Sequence, residues 1–429
     1  MIVRARNVVT MDGAPISDGA VRVHQDQVVE VRKFSELGAL SSVVGEKEAI
    51  VDLSDSVLLP GLINAHCHLD YTCLRDKISR QSSFADWIRL INAEKEDLTG
   101  NDYKRSVAEG CAEAQRFGTT SIVNLEAFPE LIAELPPSPL RIWWCAELID
   151  VNAPEKFGEL ASRALRSLKS IPNGRGGLGL APHAPFTASV ELYRECEKIA
   201  ERDRLLLTTH ISESREELEM FYERSGPLFE FLNALGRPMD DCGAITPFAV
   251  FLKKLNEAHS GAGSRASPSR TGNVNCPYHR WLIAHLNEIA ETDFDLLAKL
   301  PQMPSVAHCP RSHAYFGHSP FAFERLDAVG VNICLGTDSL ASNTDLSLFA
   351  EMREFRRLHT GIPEEKIVAM ITVNPAKAIG MEDSLGKIRA GYQADMVAIP
   401  AMSERSNPYE SIINFTGDVP WLMIGGEPA

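Results

Sequence analysis

Eight apolar, strand-like runs alternate with helical stretches through the middle of this 429-residue chain, near 57–64, 119–124, 140–148, 176–181, 204–210, 281–286, 304–308 and 331–337. Short runs this apolar read as strands buried on both faces, as in a parallel sheet covered by helices. Between them the apolar spacing turns helical, for example over 102–117 and 189–202. Eight such units predict an α/β fold, a (β/α)8 TIM barrel, with its active site at the C-terminal strand ends. The two chain ends differ in character. Val21-Arg22-Val23-His24, Val28-Val29-Glu30-Val31 and residues 394–399 are short and strand-like, with turn residues such as Asp12-Gly13 and Asp18-Gly19 nearby. They predict a small β-sandwich domain built from 1–56 and 381–429, with the barrel over 57–380. Residues 256–279, rich in Gly, Ser, Asn and Pro, read as a flexible insertion before the sixth strand. His259 and His279 are expected to be solvent-exposed bystanders there.

Polar residues recur where the predicted strands end. His66 and His68 close the first strand, His210 the fifth, His285 the sixth, His308 the seventh and Asp338 the eighth. Residues i and i+2 of a strand face one side, so His66 and His68 can share a cation. A bare His-x-His also occurs on wet loops. Five histidines and an aspartate at one end of one barrel are harder to explain as packing, because buried ionisable groups are rare unless paired or metal-bound. Cys67 and Cys309 fall on the opposite strand parity and read as packing residues.

Composition narrows the partners. With 58 acidic against 43 basic residues the net charge is −15, which argues against general binding to nucleic acid or anionic membranes. Nine cysteines without a Cys-x-x-Cys, and no long apolar stretch after Met1, fit reduced thiols and a cytoplasmic location. No run of 18 uninterrupted apolar residues predicts a membrane span.

Several of these segments together resemble a known family. They are Pro60-Gly61-Leu62-Ile63-Asn64-Ala65-His66-Cys67-His68, Thr209-His210-Ile211-Ser212-Glu213, Ala284-His285, Gly336-Thr337-Asp338-Ser339 and the tail from Leu385 to Asp395. The chain resembles the amidohydrolase superfamily, in its adenosine/cytosine deaminase-like and triazine-hydrolase-like branch, over essentially its whole length except 256–279. The resemblance implies that His66, His68, His210 and Asp338 hold one divalent metal ion, zinc first, with iron or manganese as alternatives. Relatives with two metals carry a lysine or acid after strand four. Gly179-Leu180-Ala181-Pro182-His183-Ala184-Pro185 has neither, which implies a mononuclear site.

The same resemblance implies roles. Asp338 accepts a proton from the attacking water. Glu213 protonates the ring nitrogen of an aminopurine and helps pass a proton to the leaving amine. His285 polarises the attacked centre or positions the nucleophile. Glu213 also reads simply as an acid at a helix start. On the substrate side, His183 resembles a substrate-contacting histidine, with structural hydrogen bonding as the alternative. Glu126 could bind ribose hydroxyls or be a surface acid. Arg311 and His313 depart from the Asn-Pro-x-Ser-Asn of many relatives, so Arg311 or Arg75 either reads an acidic substituent or makes a structural ion pair.

The run Cys309-Pro310-Arg311-Ser312-His313-Ala314-Tyr315-Phe316, with residues 336–343, is most similar to aminodeoxyfutalosine deaminases of the futalosine route to menaquinone. The function implied is hydrolytic deamination of an aminopurine nucleoside derivative, with 6-aminodeoxyfutalosine as one such substrate. Two alternatives stand beside it: another amidohydrolase acting on a chloro- or amino-triazine or a cyclic amide, and a catalytically inactive barrel used as a binding protein. The partner implied is a small molecule, and relatives suggest a homodimer or larger homo-oligomer.

Overall fold

The computed structural model describes residues 1–37, 48–171, 174–260, 281–403 and 406–429. Four strands open it: β1 (Ile2–Val8), β2 (Ile16–His24), β3 (Gln27–Lys33) and β4 (Ile50–Pro60). The barrel strands follow: β5 (Leu62–His68), β6 (Thr119–Glu126), β7 (Arg141–Leu148), β8 (Gly177–Pro182), β9 (Leu206–Ile211), β10 (Trp281–His285), β11 (Ser305–His308) and β12 (Asn332–Leu335). They pair in chain order, all parallel. A two-residue strand, β13 (Asp338–Ser339), follows β12 and pairs with Cys67 and His68 of β5, which closes the ring. Finally β14 (Met396–Pro400), β15 (Trp421–Ile424) and β16 (Glu427–Pro428) join the N-terminal strands in the order β16-β15-β14-β4-β1-β2-β3. The fold is a (β/α)8 barrel with a small β-sandwich domain made from both chain ends.

Residues 57–60, expected to open the first barrel strand, instead finish β4 and pair with β14, Val57 opposite Ile399 and Leu59 opposite Val397. The barrel strand starts after Gly61. Both faces of β4 are buried here. Leu58 points into the sandwich core with Val3, Val21, Met396 and Met423, while Val57, Leu59, Val397 and Ile399 belong to the core shared with the barrel. Burial on both faces erases the period-2 alternation, so two strands read as one apolar run. The terminal sheet curls over its own core: Val28 N–H donates to Tyr392 O (2.9 Å) and Ala394 N–H to Asp26 O (2.7 Å), tying β3 to the segment before β14.

Inside the barrel, Ile63, Ala65, Val123, Leu125, Trp143, Cys145, Ala181, Leu282, Ala307 and Cys334 form one core, with half-buried Leu206 against it, so every strand contributes. This row defines the inward parity of each strand. The expected helices are Gly100–Arg116, started by a Thr99–Asp102 capping box, and Val190–Asp203, capped by Ser189. The helix Pro247–Ser260 runs into the segment expected as an insertion and includes His259; residues 261–280, with His279, lie outside the described residues. No helix among the described residues is long and apolar enough to cross a membrane.

Candidate metal centre and active site

The polar residues at the barrel mouth reach one point by different local devices. On β5 the inward row is Ile63 and Ala65, the opposite parity to His66 and His68. A register shift between Asn64 and Cys67 against β6 re-aims the strand end. Asn64 anchors that shift: its Oδ1 accepts from His66 N (3.3 Å) and Thr337 N (3.2 Å), and its Nδ2 donates to Thr337 Oγ1 (2.7 Å). Gly336 must be glycine, because a Cβ there would lie 2.8 Å from the backbone of His66. On β10, Leu282 faces inward, so His285 should face out by parity. A positive φ of 75° at His285 and 53° at Leu286 turns it back, fixed by Leu286 N–H to Ile211 O and Asn287 N–H to Ser212 O, both 2.9 Å. Ser212 and Asp338 also hold positive φ, 52° and 57°. Left-handed backbone at non-glycine residues is costly, and here it is spent at the strand ends that carry the site.

His66, His68, His210, His285 and Asp338 are all buried and converge. His210 Nε2 lies 3.3 Å from His68 Nε2; Asp338 Oδ1 lies 3.5 Å from His66 Nε2 and 3.8 Å from His68 Nε2. A tetrahedral zinc site with metal–nitrogen bonds of about 2.0–2.1 Å separates its ligand atoms by roughly 3.3–3.4 Å, close to these spacings. Both ring nitrogens of His66 are buried without a hydrogen-bond partner. Unpaired buried polar atoms of this kind are expensive, and a cation satisfies them. The surroundings prepare each ligand. Asp338 Oδ2 accepts from Ser312 Oγ (2.7 Å) and Ser342 Oγ (3.3 Å), which leaves Oδ1 for the histidines. His210 Nδ1 meets His183 O at 2.9 Å, which orients its Nε2 inward. The donor set, three imidazoles and one carboxylate, fits a divalent cation.

Burial, then neighbouring histidines, holds His68 well below the ordinary imidazole range, and burial, then His183, takes His210 down to about 3. Both are neutral near pH 7, as ligands must be. Burial pushes Asp338 up, but His66, His285 and His68 pull it well below its ordinary value. Glu213 moves the other way. Burial, then the Asp338 and Glu217 carboxylates, raises it well above the usual range, which favours the protonated carboxyl. Its Oε1 lies 3.7 Å from His285 Nε2. Glu213 N–H donates to Glu217 Oε2 (2.8 Å), and Asn287 Nδ2 donates to Glu213 O (3.1 Å). Glu213 is therefore buried and braced at the site, beyond what a solvated helix-start acid requires. Burial takes Glu217 itself to about 8.

A roof covers this centre. The helix Phe84–Glu96 packs Phe84, Trp87 and Ile91 into an apolar cluster with Phe186 and Phe221. Its first N–H groups, of Phe84 and Ala85, donate to the Glu216 carboxylate at 2.8 and 3.0 Å, three residues after Glu213. At its other end Lys95 Nζ donates to Tyr71 Oη (2.7 Å), and Tyr71 stacks on His68 with ring centres 5.5 Å apart.

The remaining expected residues divide. His183 lies beside His210, ring centres 4.7 Å apart, and burial lowers it to about 4. Glu126 falls on the outward parity of β6; its carboxylate accepts from Phe128 N (3.2 Å) and Asn124 Nδ2 (3.3 Å). Arg311 pairs with Asp345 (2.6 Å) and reaches toward Glu351 (3.9 Å), and Arg75 pairs with Glu113. His313 Nε2 meets Ser319 O at 2.8 Å. His308 takes the outward parity of Val306 and stacks on Phe321, ring centres 3.8 Å apart, away from the convergent group. Cys67 and Cys309 are buried. One residue not singled out from sequence sits close in. Glu147, two beyond inward-facing Cys145 on β7, comes within 4.8 Å of ring nitrogens of His183 and His210. The signal for Glu147 was the strand parity of β7.

The barrel is closed and parallel, and its histidine–carboxylate cluster lies at the C-terminal mouth, where a divalent ion would fit. The amidohydrolase family model matches residues 57–428, and the chain belongs to that family, a hydrolase acting on C–N bonds. It is 27% identical over 452 residues to 5-methylthioadenosine/S-adenosylhomocysteine deaminase of Nitratidesulfovibrio vulgaris, covering 99% of this chain and 90% of that protein. Its fold is similar to aminofutalosine deaminase of Helicobacter pylori in complex with methylthio-coformycin, with TM-score 0.80, 21% identity and coverage of 100% and 99% of the two chains. It is also similar to an adenosine deaminase of Xanthomonas campestris with bound zinc, with TM-score 0.75, 22% identity and coverage of 100% and 92%.

Proposed function

We propose that the protein is a metal-dependent hydrolytic deaminase of an aminopurine nucleoside derivative. The observation that carries this reading is Glu213, a buried carboxyl with Oε1 3.7 Å from His285 Nε2 and beside the cluster that would hold the metal. A hydrolase that removes an exocyclic amine from a purine needs such a proton donor for the ring nitrogen, so that the attacked carbon becomes electrophilic. In this reading His66, His68, His210 and Asp338 hold one divalent ion, zinc first. When bound, the ion supplies a water acidified toward neutral pH. Asp338, whose carboxyl is held well below its ordinary value, would accept a proton from the attacking water. Glu213 would donate its proton to the ring nitrogen; the proton taken up by Asp338 would pass to the amine as it leaves as ammonia, and the second proton of the attacking water would return to Glu213 as the carbonyl forms. His285, kept neutral by burial, hydrogen-bonds the attacking oxygen.

Two groups of substrates compete within this class. The 27% identity to a methylthioadenosine/S-adenosylhomocysteine deaminase favours a 5′-substituted adenosine. The run from Cys309 to Phe316 and the fold similarity to aminofutalosine deaminase favour 6-aminodeoxyfutalosine of the menaquinone route. Arg311 and Arg75 are paired internally and give no support for an acidic substituent. Ammonia release by metal-loaded protein from adenosine, methylthioadenosine, S-adenosylhomocysteine, aminodeoxyfutalosine, guanine and a chlorotriazine tests the proposal. Turnover of at least one adenine nucleoside is expected. Chloride release from the triazine with no ammonia from any nucleoside would sink it in favour of halide hydrolysis.

A further inference from the structure

We infer that Glu351 is a positioning residue for the carboxylate ligand of the metal: it fixes the two segments whose hydroxyls hold Asp338. The inference rests on the metal-site reading above. Asp338 Oδ2 takes its two hydroxyl bonds from separate places. Ser312 lies on the helix Pro310–Phe316 after β11, and Ser342 lies in the turn after β13. The two hydroxyls also meet each other at 2.9 Å. Together they set the rotation of the Asp338 carboxylate, and so which oxygen faces His66 and His68.

Neither segment fixes this arrangement alone. Cys309, at the cap position of the helix Pro310–Phe316, makes no side-chain capping bond, and Pro310 has no N–H to offer. The first N–H of that helix, on Arg311, donates instead to Glu351 Oε2 at 2.9 Å. Glu351 Oε1 accepts from Asn343 Nδ2 at 2.7 Å, one residue beyond Ser342. The same Asn343 Nδ2 donates to Thr337 O at 2.8 Å, one residue before Asp338. One carboxylate therefore joins Ser312 to Ser342 through the chain neighbour of each. Glu351 comes from a third element, the helix Leu348–Leu358, and is 0% exposed. The Arg311 guanidinium stands back at 3.9 Å from Oε1 and pairs with Asp345 at 2.6 Å. A fully buried acid carries a desolvation cost that an apolar residue of similar size would not. Here its two oxygens go to the backbone and the amide that carry the hydroxyls of the ligand.

Zinc affinity, read by competition with a chelator, tests this in the folded protein. Glu351→Gln keeps the shape but turns an amide N–H toward one of the two donors. It should weaken zinc binding about 10–100-fold while the circular dichroism spectrum stays that of wild type. Glu351→Leu, which removes both acceptors, should show the same loss. Ser312→Ala combined with Ser342→Ala should weaken binding by a similar factor. Adding Glu351→Gln to that pair should cost no more than about twofold further, because Glu351 acts through those hydroxyls. A purely structural role would instead lower Tm in both backgrounds and leave the zinc affinity of the folded variants unchanged. Wild-type zinc affinity in Glu351→Gln, no loss in the serine pair, a full further loss in the triple variant, or failure of both Glu351 variants to fold would each overturn the inference. Wild type that binds no zinc would overturn the metal reading with it; tight zinc in wild type and in Glu351→Gln alike would overturn this inference alone.

Discussion

Two histidine clusters lie near the same end of this barrel, and burial does not tell them apart. His66, His68, His210 and His285 surround Asp338; His308 ends β11, His313 lies on the helix Pro310–Phe316 with His318 just beyond it, and His359 follows the helix Leu348–Leu358. All eight are buried or nearly so, and burial lowers most of them in both groups: His210 and His318 are each taken to about 3. A depressed imidazole pKa therefore does not separate a metal centre from a packed wall. Convergence does. In the first cluster ring nitrogens close on one point, with His68 and His210 3.3 Å apart. In the second the rings lie against aromatic faces, His308 on Phe321 and His359 on Phe355, or turn their nitrogens to Ser319 O and Glu324. Among the described residues no three of that group bring ligand atoms together.

The comparison breaks most sharply at the ligands. His210→Asn should reduce ammonia release to the uncatalysed background under conditions where the protein remains folded by circular dichroism. Next comes the proton donor. Glu213→Gln keeps the shape and removes the proton, so kcat should fall by about 10²–10⁴-fold with bound metal retained. Because Glu213 is raised and works protonated, the wild-type kcat profile should lose activity as pH rises through its shifted value, and the variant should lack that limb. A flat wild-type profile through the alkaline range would contradict the assignment.

Glu217 sharpens the same point through stability. Its carboxyl moves from an ordinary 4.5 to about 8 on folding, so the folded state binds the proton more tightly than the unfolded one. Its contribution is therefore greatest below the ordinary value and is lost as pH rises from about 4.5 to about 8, by up to ~1.4 kcal/mol per pH unit. Glu217→Gln should flatten the Tm-against-pH curve in that window; an unchanged slope would show that another group sets it. The smallest effect is expected in the second cluster. His308→Phe replaces one ring stacked on Phe321 by another, and should shift stability by less than ~1.5 kcal/mol and kcat/KM by less than about threefold.

Much of this was legible in the sequence, and the exceptions share a cause. The eight strand runs and the residues of the convergent centre stand out because apolar strands that end in polar groups are conspicuous. Residues 57–60 were misplaced because strands buried on both faces lose alternation, so Gly61 was not visible as a break between two sheets. His308 and Glu126 end barrel strands as His210 does, yet their parity turns them outward. Parity fails in the other direction for His66 and His285, which reach the centre through a register shift and a positive φ that no periodicity reveals. For Arg311 and Arg75 the sequence leaves an acidic ligand and an ion pair both open, because Asp345 and Glu113, their partners, lie 34 and 38 residues away along the chain. Glu147 carries no motif; only its place on the inward row of β7 identifies it.

Metal content tests the central claim most directly. After zinc loading and exhaustive dialysis, wild type and His308→Phe should each retain one zinc per chain by elemental analysis, and Asp338→Asn should retain little. Retention of a full equivalent by Asp338→Asn, or its loss from His308→Phe, would contradict the assignment of the metal to the convergent cluster.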